Sequence, residues 1–111
     1  MKTSSRSVSG IEIIELQGKI TIGAGDSQLR DTITQKLSEG KDKILLDMSG
    51  VTTIDSSGIG ELVGSYTTVA NRGGKLKLLH LPPKVTDLLQ VTQLITVFEV
   101  YENEQEAVSS F

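Results

Sequence analysis

Thr53-Ile54-Asp55-Ser56-Ser57-Gly58-Ile59-Gly60 is the stretch at which the apolar pattern of the chain changes period. Before it, Lys43-Ile44-Leu45-Leu46-Asp47-Met48 holds a short continuous apolar run, the pattern of a buried strand. After it, Ile59, Leu62, Val63, Tyr66, Val69 and Ala70 recur at helical spacing, which predicts a helix with one apolar stripe. The octapeptide therefore reads as a strand-to-helix turn. Asp55, Ser56 and Ser57 carry short side-chain oxygens that can accept from the unpaired N–H groups of a first helical turn, and either Asp55 or Ser56 could be the cap.

Working outward, Thr3 to Val8 suits a short edge strand that turns at Ser9-Gly10 into Ile11-Glu12-Ile13-Ile14-Glu15-Leu16. Ile11 and Ile13 point one way from that second strand and Ile14 and Leu16 the other, so it belongs inside a sheet. Gly18 to Gly25 reads as an extended connection. Asp26 or Ser27 then caps a helix with Leu29, Ile33 and Leu37 on one face, closed by Gly40. Beyond the central helix, Asn71-Arg72-Gly73-Gly74 is a stop and Leu76-Lys77-Leu78-Leu79 a further strand. Pro82-Pro83 opens a helix bearing Val85, Leu88 and Leu89. Thr96 to Tyr101 reads as a last strand, and Asn103 with Glu106 resembles a capping box for a short C-terminal helix. The alternation predicts an α/β fold, a mixed but mostly parallel sheet of four to five strands with about four helices, in one domain spanning 1–111.

Composition narrows the function classes. A net charge of -3 with no basic run argues against nucleic acid as a partner. No cysteine is present, which excludes disulfides and thiolate metal sites. Met1 to Gly10 has no apolar segment of the signal-peptide kind and no stretch reaches the length of a membrane span, so a cytoplasmic location away from the membrane is expected.

Three constellations could carry chemistry of another kind. Gly23-Ala24-Gly25-Asp26-Ser27-Gln28 begins like a dinucleotide-binding glycine motif but ends on glutamine, and no Lys-Ser/Thr pair follows, so a plain loop and cap is the better reading and no cofactor is expected. His80, the single histidine, is expected on the same sheet edge as Ser56 if the strands are parallel. A serine hydrolase also needs an orienting acid and an oxyanion hole, and the sequence around Ser56 is not a nucleophile elbow, so no catalytic residue is expected. Asp47, Asp55 and Glu61 are close in sequence, but Asp47 lies in a strand and Glu61 projects from the far side of a helix, so no metal site is expected.

A helix N-terminus with free N–H groups and partial positive charge also suits a phosphate, so a serine there can carry one. Ile54-Asp55-Ser56-Ser57-Gly58-Ile59-Gly60, set between a strand and a helix, resembles the motif of anti-sigma factor antagonists of the STAS domain family. The likeness continues through Leu45-Leu46-Asp47-Met48, Gly73-Gly74-Lys75-Leu76-Lys77-Leu78 and the Val85 to Leu94 segment, and so spans nearly the whole chain. It implies that Ser56 is phosphorylated by a serine kinase that is itself the anti-sigma factor. The unphosphorylated form would bind that kinase and so free a sigma factor, and a PP2C-type phosphatase would restore it. The alternative within the fold is a scaffold or sensory-complex STAS protein, or a transporter-associated subunit.

The glycines after the serines call for a reason. Gly58, Gly60 and Gly64 together give up roughly 1.5–3 kcal/mol of helix preference relative to alanine. Gly60 and Gly64 fall on an outward flank of the stripe, near Ser57, Thr68 and Asn71. A small-residue strip there would let a partner's backbone come close, so Asp55, Ser57, Gly58, Gly60, Glu61 and Gly64 are the expected partner-binding residues around Ser56.

Overall fold

The computed structural model describes residues 1–111. Its elements are β1 (Lys2–Val8), β2 (Ile11–Ile20), α1 (Ala24–Ser38), β3 (Lys43–Ile54), α2 (Ser56–Asn71), β4 (Lys75–Leu79), α3 (Pro83–Val91), β5 (Val100–Tyr101) and α4 (Glu104–Ser109). The strands lie in sheet order β1-β2-β3-β4-β5. The β1–β2 pair is antiparallel and the others are parallel, as the βαβ spacing requires.

The inside-outside pattern of β2 is as its residues dictate. Ile14, Leu16 and Ile20 enter the main core with Leu29, Ile33 and Leu37 of α1, Ile59, Leu62 and Val69 of α2, and Val85 and Leu89 of α3. Ile11 and Ile13 join Leu45 and Leu79 on the opposite face, beneath Ala107 of α4. The short α4 is held over that face at both ends: Glu104 pairs with Arg6, and the buried Lys77 ammonium donates to the Ser110 carbonyl and hydroxyl at 2.9 Å each. Asn103 caps α4 by accepting from the Glu106 N–H at 2.9 Å.

Four expectations need correction. β2 runs on to Ile20 and β3 to Ile54, because the two strands pair from Glu12↔Ile44 to Ile20↔Ile54, across polar residues that show no clear apolar run. α1 starts at Ala24 after Gly23, and the Asp26 carboxylate accepts from the neighbouring Ser27 N–H inside the first turn, so neither Asp26 nor Ser27 is the cap. The last strand shrinks to Val100–Tyr101, since Leu94–Thr96 forms a 3-10 turn and only two residues find partners on β4. On α2, Ala70 is exposed and Ser65 takes the buried place, with its hydroxyl oxygen unpartnered.

Candidate functional site

The turn between β3 and α2 is built around one carboxylate. Asp55 is extended (φ -111°, ψ -175°), and its Oδ1 accepts from the Gly58 N–H at 2.9 Å, which makes it the N-cap of α2. Its Oδ2 accepts from the Ile22 N–H at 3.0 Å, reaching across to the β2–α1 loop. Those two backbone donors, Ile22 first and Gly58 second, hold the Asp55 carboxyl below the usual carboxylate range. Asp55 therefore clamps two loops together while it caps. Ser56 is released from that duty: it is the first residue of α2, exposed, with a hydroxyl that enters no hydrogen bond. Ser57 is half-buried beside it.

The two helices that flank the site start on the same piece of backbone. A Cβ on Gly58 would lie 2.0 Å from the Ile20 carbonyl oxygen and 2.7 Å from Ile54 Cγ1. A Cβ on Gly25 of α1 would lie 2.3 Å from the Lys19 oxygen and 2.9 Å from Ile20 Cα. The first turns of α1 and α2 thus sit down on the end of β2 from either side, and only glycine lets them come so close. Gly58 is buried by this packing, so it is corrected from a partner-facing residue to a structural one.

Gly60 and Gly64 behave differently. Both are exposed, and a Cβ at either would meet nothing within 4 Å. Their spacing of one turn from Ser56 places all three along one outward strip of α2. Glu61 is turned inward and engaged: its carboxylate accepts from the Arg30 Nη2 at 3.1 Å and Nε at 3.3 Å, tying α2 to α1. Its side chain is only 14% exposed, so its place is at the helix-helix seam.

His80 does not join this site. β3 aligns with β4 only as far as Asp47↔Leu79, and the run from Met48 to Ile54 carries Ser56 roughly 20 Å further along the strand direction. Both residues follow the C-terminal ends of parallel strands, as expected, but the overrun of β3 sets Ser56 far from His80. No group of three or more carboxylate or imidazole residues is arranged to hold a metal ion.

Ile22 was not singled out from sequence. It is 75% exposed and its N–H is held by Asp55, so a large apolar side chain is fixed in solvent beside Ser56. Only its place between two glycine-flanked elements hinted at a loop; the Asp55 contact that holds its backbone links residues far apart in the chain.

A sequence model of the STAS domain matches residues 3–107. The chain is 27% identical over 103 residues, 90% of its length and 86% of the relative's, to the anti-sigma F factor antagonist of Paenibacillus polymyxa. Its fold is similar to that of the Bacillus cell fate determinant SpoIIAA in the phosphorylated form, with TM-score 0.74 and 22% identity over 98% of either chain. A sulfate transporter family protein from Wolinella succinogenes is similar as well, with TM-score 0.78 and 22% identity, over 93% of this chain and 85% of that one. At such identities the two structures speak for the fold alone. No helix is long and apolar enough to cross a membrane.

Proposed function

The chain belongs to the STAS domain family, and from that premise we propose that it is an anti-sigma factor antagonist switched at Ser56. In this reading the unphosphorylated protein binds an anti-sigma factor that is also a serine kinase, and so frees a sigma factor in the cytoplasm. Phosphorylation of Ser56 by that kinase ends the binding, and a PP2C-type phosphatase restores it. The protein is a docking partner and a substrate, with no catalysis of its own. The observation that carries this reading is the division of labour at the start of α2: Asp55 does the capping, which leaves the Ser56 hydroxyl exposed and unbonded beside Ile22, Gly60 and Gly64.

The switch works at the surface. Phosphorylation adds about -1.5 to -2 charges at pH 7. The α2 dipole favours an anion there by about 0.3–1 kcal/mol, and the Asp55 charge opposes part of that gain. The folded state is left nearly as stable as before. A partner docked on the strip would instead have to desolvate a dianion at its centre.

The test is labelling by the cognate kinase with ATP. Ser56→Ala abolishes the label and Ser57→Ala leaves most of it; the opposite result would assign the switch to Ser57. A non-phosphorylated, transporter-associated subunit, the part of the alternative that the Wolinella likeness brings, predicts no label on either serine.

A further inference from the structure

β3 pairs with β2 along nearly its whole length, but with β4 only from Lys43↔Lys75 to Asp47↔Leu79. At His80, whose φ of 54° is left-handed, the chain leaves the sheet and turns through Leu81 and Pro82 into α3. From Met48 to Ile54, therefore, β3 has no strand beside it on that side. Such an edge presents a row of N–H and C=O groups to whatever lies next to it.

Over Val51–Ile54 this open edge is one wall of a groove of about 520 Å³, and Pro82, Lys84, Val85 and Leu88 form the other. The volume is within the usual range of binding clefts. Val51, Val85 and Leu88 make the interior apolar, while Thr52 and Thr53 are exposed at the rim. Lys84 is the one charged residue of the lining, and no carboxylate pairs with it. It stands in the first turn of α3, whose cap position is Pro82, with no side-chain hydrogen bond to the helix end. Both features leave positive potential unanswered at that end of the groove.

We propose that this groove takes an extended segment of a partner protein, added as a strand on the open edge of β3 in the line that β4 leaves at His80. An apolar side chain of the segment packs on Val51, Val85 and Leu88, and a carboxylate meets Lys84 at the start of α3. Backbone identifies the class of occupant, because a row of strand-edge groups is matched along its length only by another backbone, as in strand-addition recognition. The groove ends at Ile54, two residues before Ser56, so a partner seated on the Ser56 strip has this second foothold within reach. The groove is nonetheless a site in its own right, and the proposal does not depend on modification of Ser56.

The probe is an acetylated hexapeptide of alternating valine and glutamate with a free C-terminus, titrated into the isotope-labelled full chain up to about 2 mM while amide shifts are followed. The expected result is saturable shifts at Val51–Ile54 and Lys84–Leu88. N-methylation of every second peptide amide, in one of its two phases, weakens binding at least about tenfold, since alternate amides face the partner strand. Lys84→Glu also weakens it at least about tenfold without disturbing the remaining spectrum, as Lys84 is exposed and makes no ion pair. No shift at these residues overturns the proposal. Full binding by both N-methylated forms overturns it too and makes the groove a pocket for apolar anions, and equal binding of a valine-lysine peptide removes the role of Lys84. Ser56→Ala binds the peptide like the wild type, so the groove and the phosphorylation switch stand or fall by separate measurements.

Discussion

On the sheet-facing side of α2, a Cβ at Gly58 would come within 2.0 Å of the Ile20 carbonyl; on the outer side, a Cβ at Gly60 or Gly64 would meet nothing within 4 Å. The same residue type in one helix thus meets two unrelated demands. The inner glycine is a condition of the fold, because α1 and α2 both start on the end of β2. The outer two meet nothing inside the domain and cost helix preference, so packing gives no reason for their smallness, and the proposed docking strip would supply one. Asp55 stands between the two sides. It fixes the inner arrangement through Ile22 and Gly58, while the Ser56 hydroxyl beside it stays unbonded on the outer side.

The contrast is broken most forcefully by substituting its inner member. Gly58→Ala should destabilise the domain by about 3 kcal/mol or prevent folding, since the atom ahead of the new methyl is backbone and cannot swing away. Urea denaturation measures this, and a loss below about 0.5 kcal/mol would return Gly58 to the partner-facing set.

On the outer side, Gly64→Leu should leave stability unchanged or raise it by up to about 1 kcal/mol, because leucine is the better helix former and the position is open. Binding to the kinase should fall sharply. If stability dropped and binding survived, the strip would have no docking role.

The hinge between the two sides is sharpened by pH. The Asp55 carboxyl is held below its ordinary value in the folded chain, so its contribution to stability is complete above about pH 4 and is lost as pH falls through the depressed folded value. Glu12 contributes in the same direction. Burial pushes its carboxyl up, but the Ser7 hydroxyl, Lys36 and Lys41 outweigh that and leave it low. Asp55→Asn keeps a capping oxygen without the charge, so the variant should lose less stability than the wild type between about pH 5 and 2. Parallel acid unfolding curves for the two proteins would remove the charge from the account.

The smallest effect is expected from phosphorylation itself. Amide shifts should change at the Ser56 end of α2 and in the Ile22 loop and stay put elsewhere, with stability altered by less than about 1 kcal/mol. Shifts spread through the sheet and α4 would replace a blocked surface with a conformational switch.

Much of the architecture was legible because it is written in local periodicity. The two-faced apolar pattern of β2, the stripe of α2 and the Pro82-Pro83 start of α3 each need only their own neighbours in the chain. The site was legible in part. The turn and its two cap candidates could be read, but the second bond of Asp55, from the Ile22 N–H that lies 33 residues away in sequence, could not. Glu61 was expected to face a partner from the far side of its helix and is paired within the chain, since Arg30 comes from another helix. Ser56 and His80 were expected on one sheet edge, and the distance between them along it was not legible, because periodicity gives the existence of a strand and not how far it overruns its neighbour.

The sequence by itself determined the order of strands and helices, the faces they bury and the hydroxyl-bearing turn at Asp55-Ser56-Ser57, since these follow from side-chain chemistry at fixed local spacing. The tertiary structure alone decided which glycine is packed and which is open, which loop Asp55 ties to the start of α2, and where β3 is left without a partner. Those outcomes depend on the distance between backbones that meet only in the folded chain: the Ile20 carbonyl against Gly58, the Ile22 amide against Asp55, and the departure of β4 at His80.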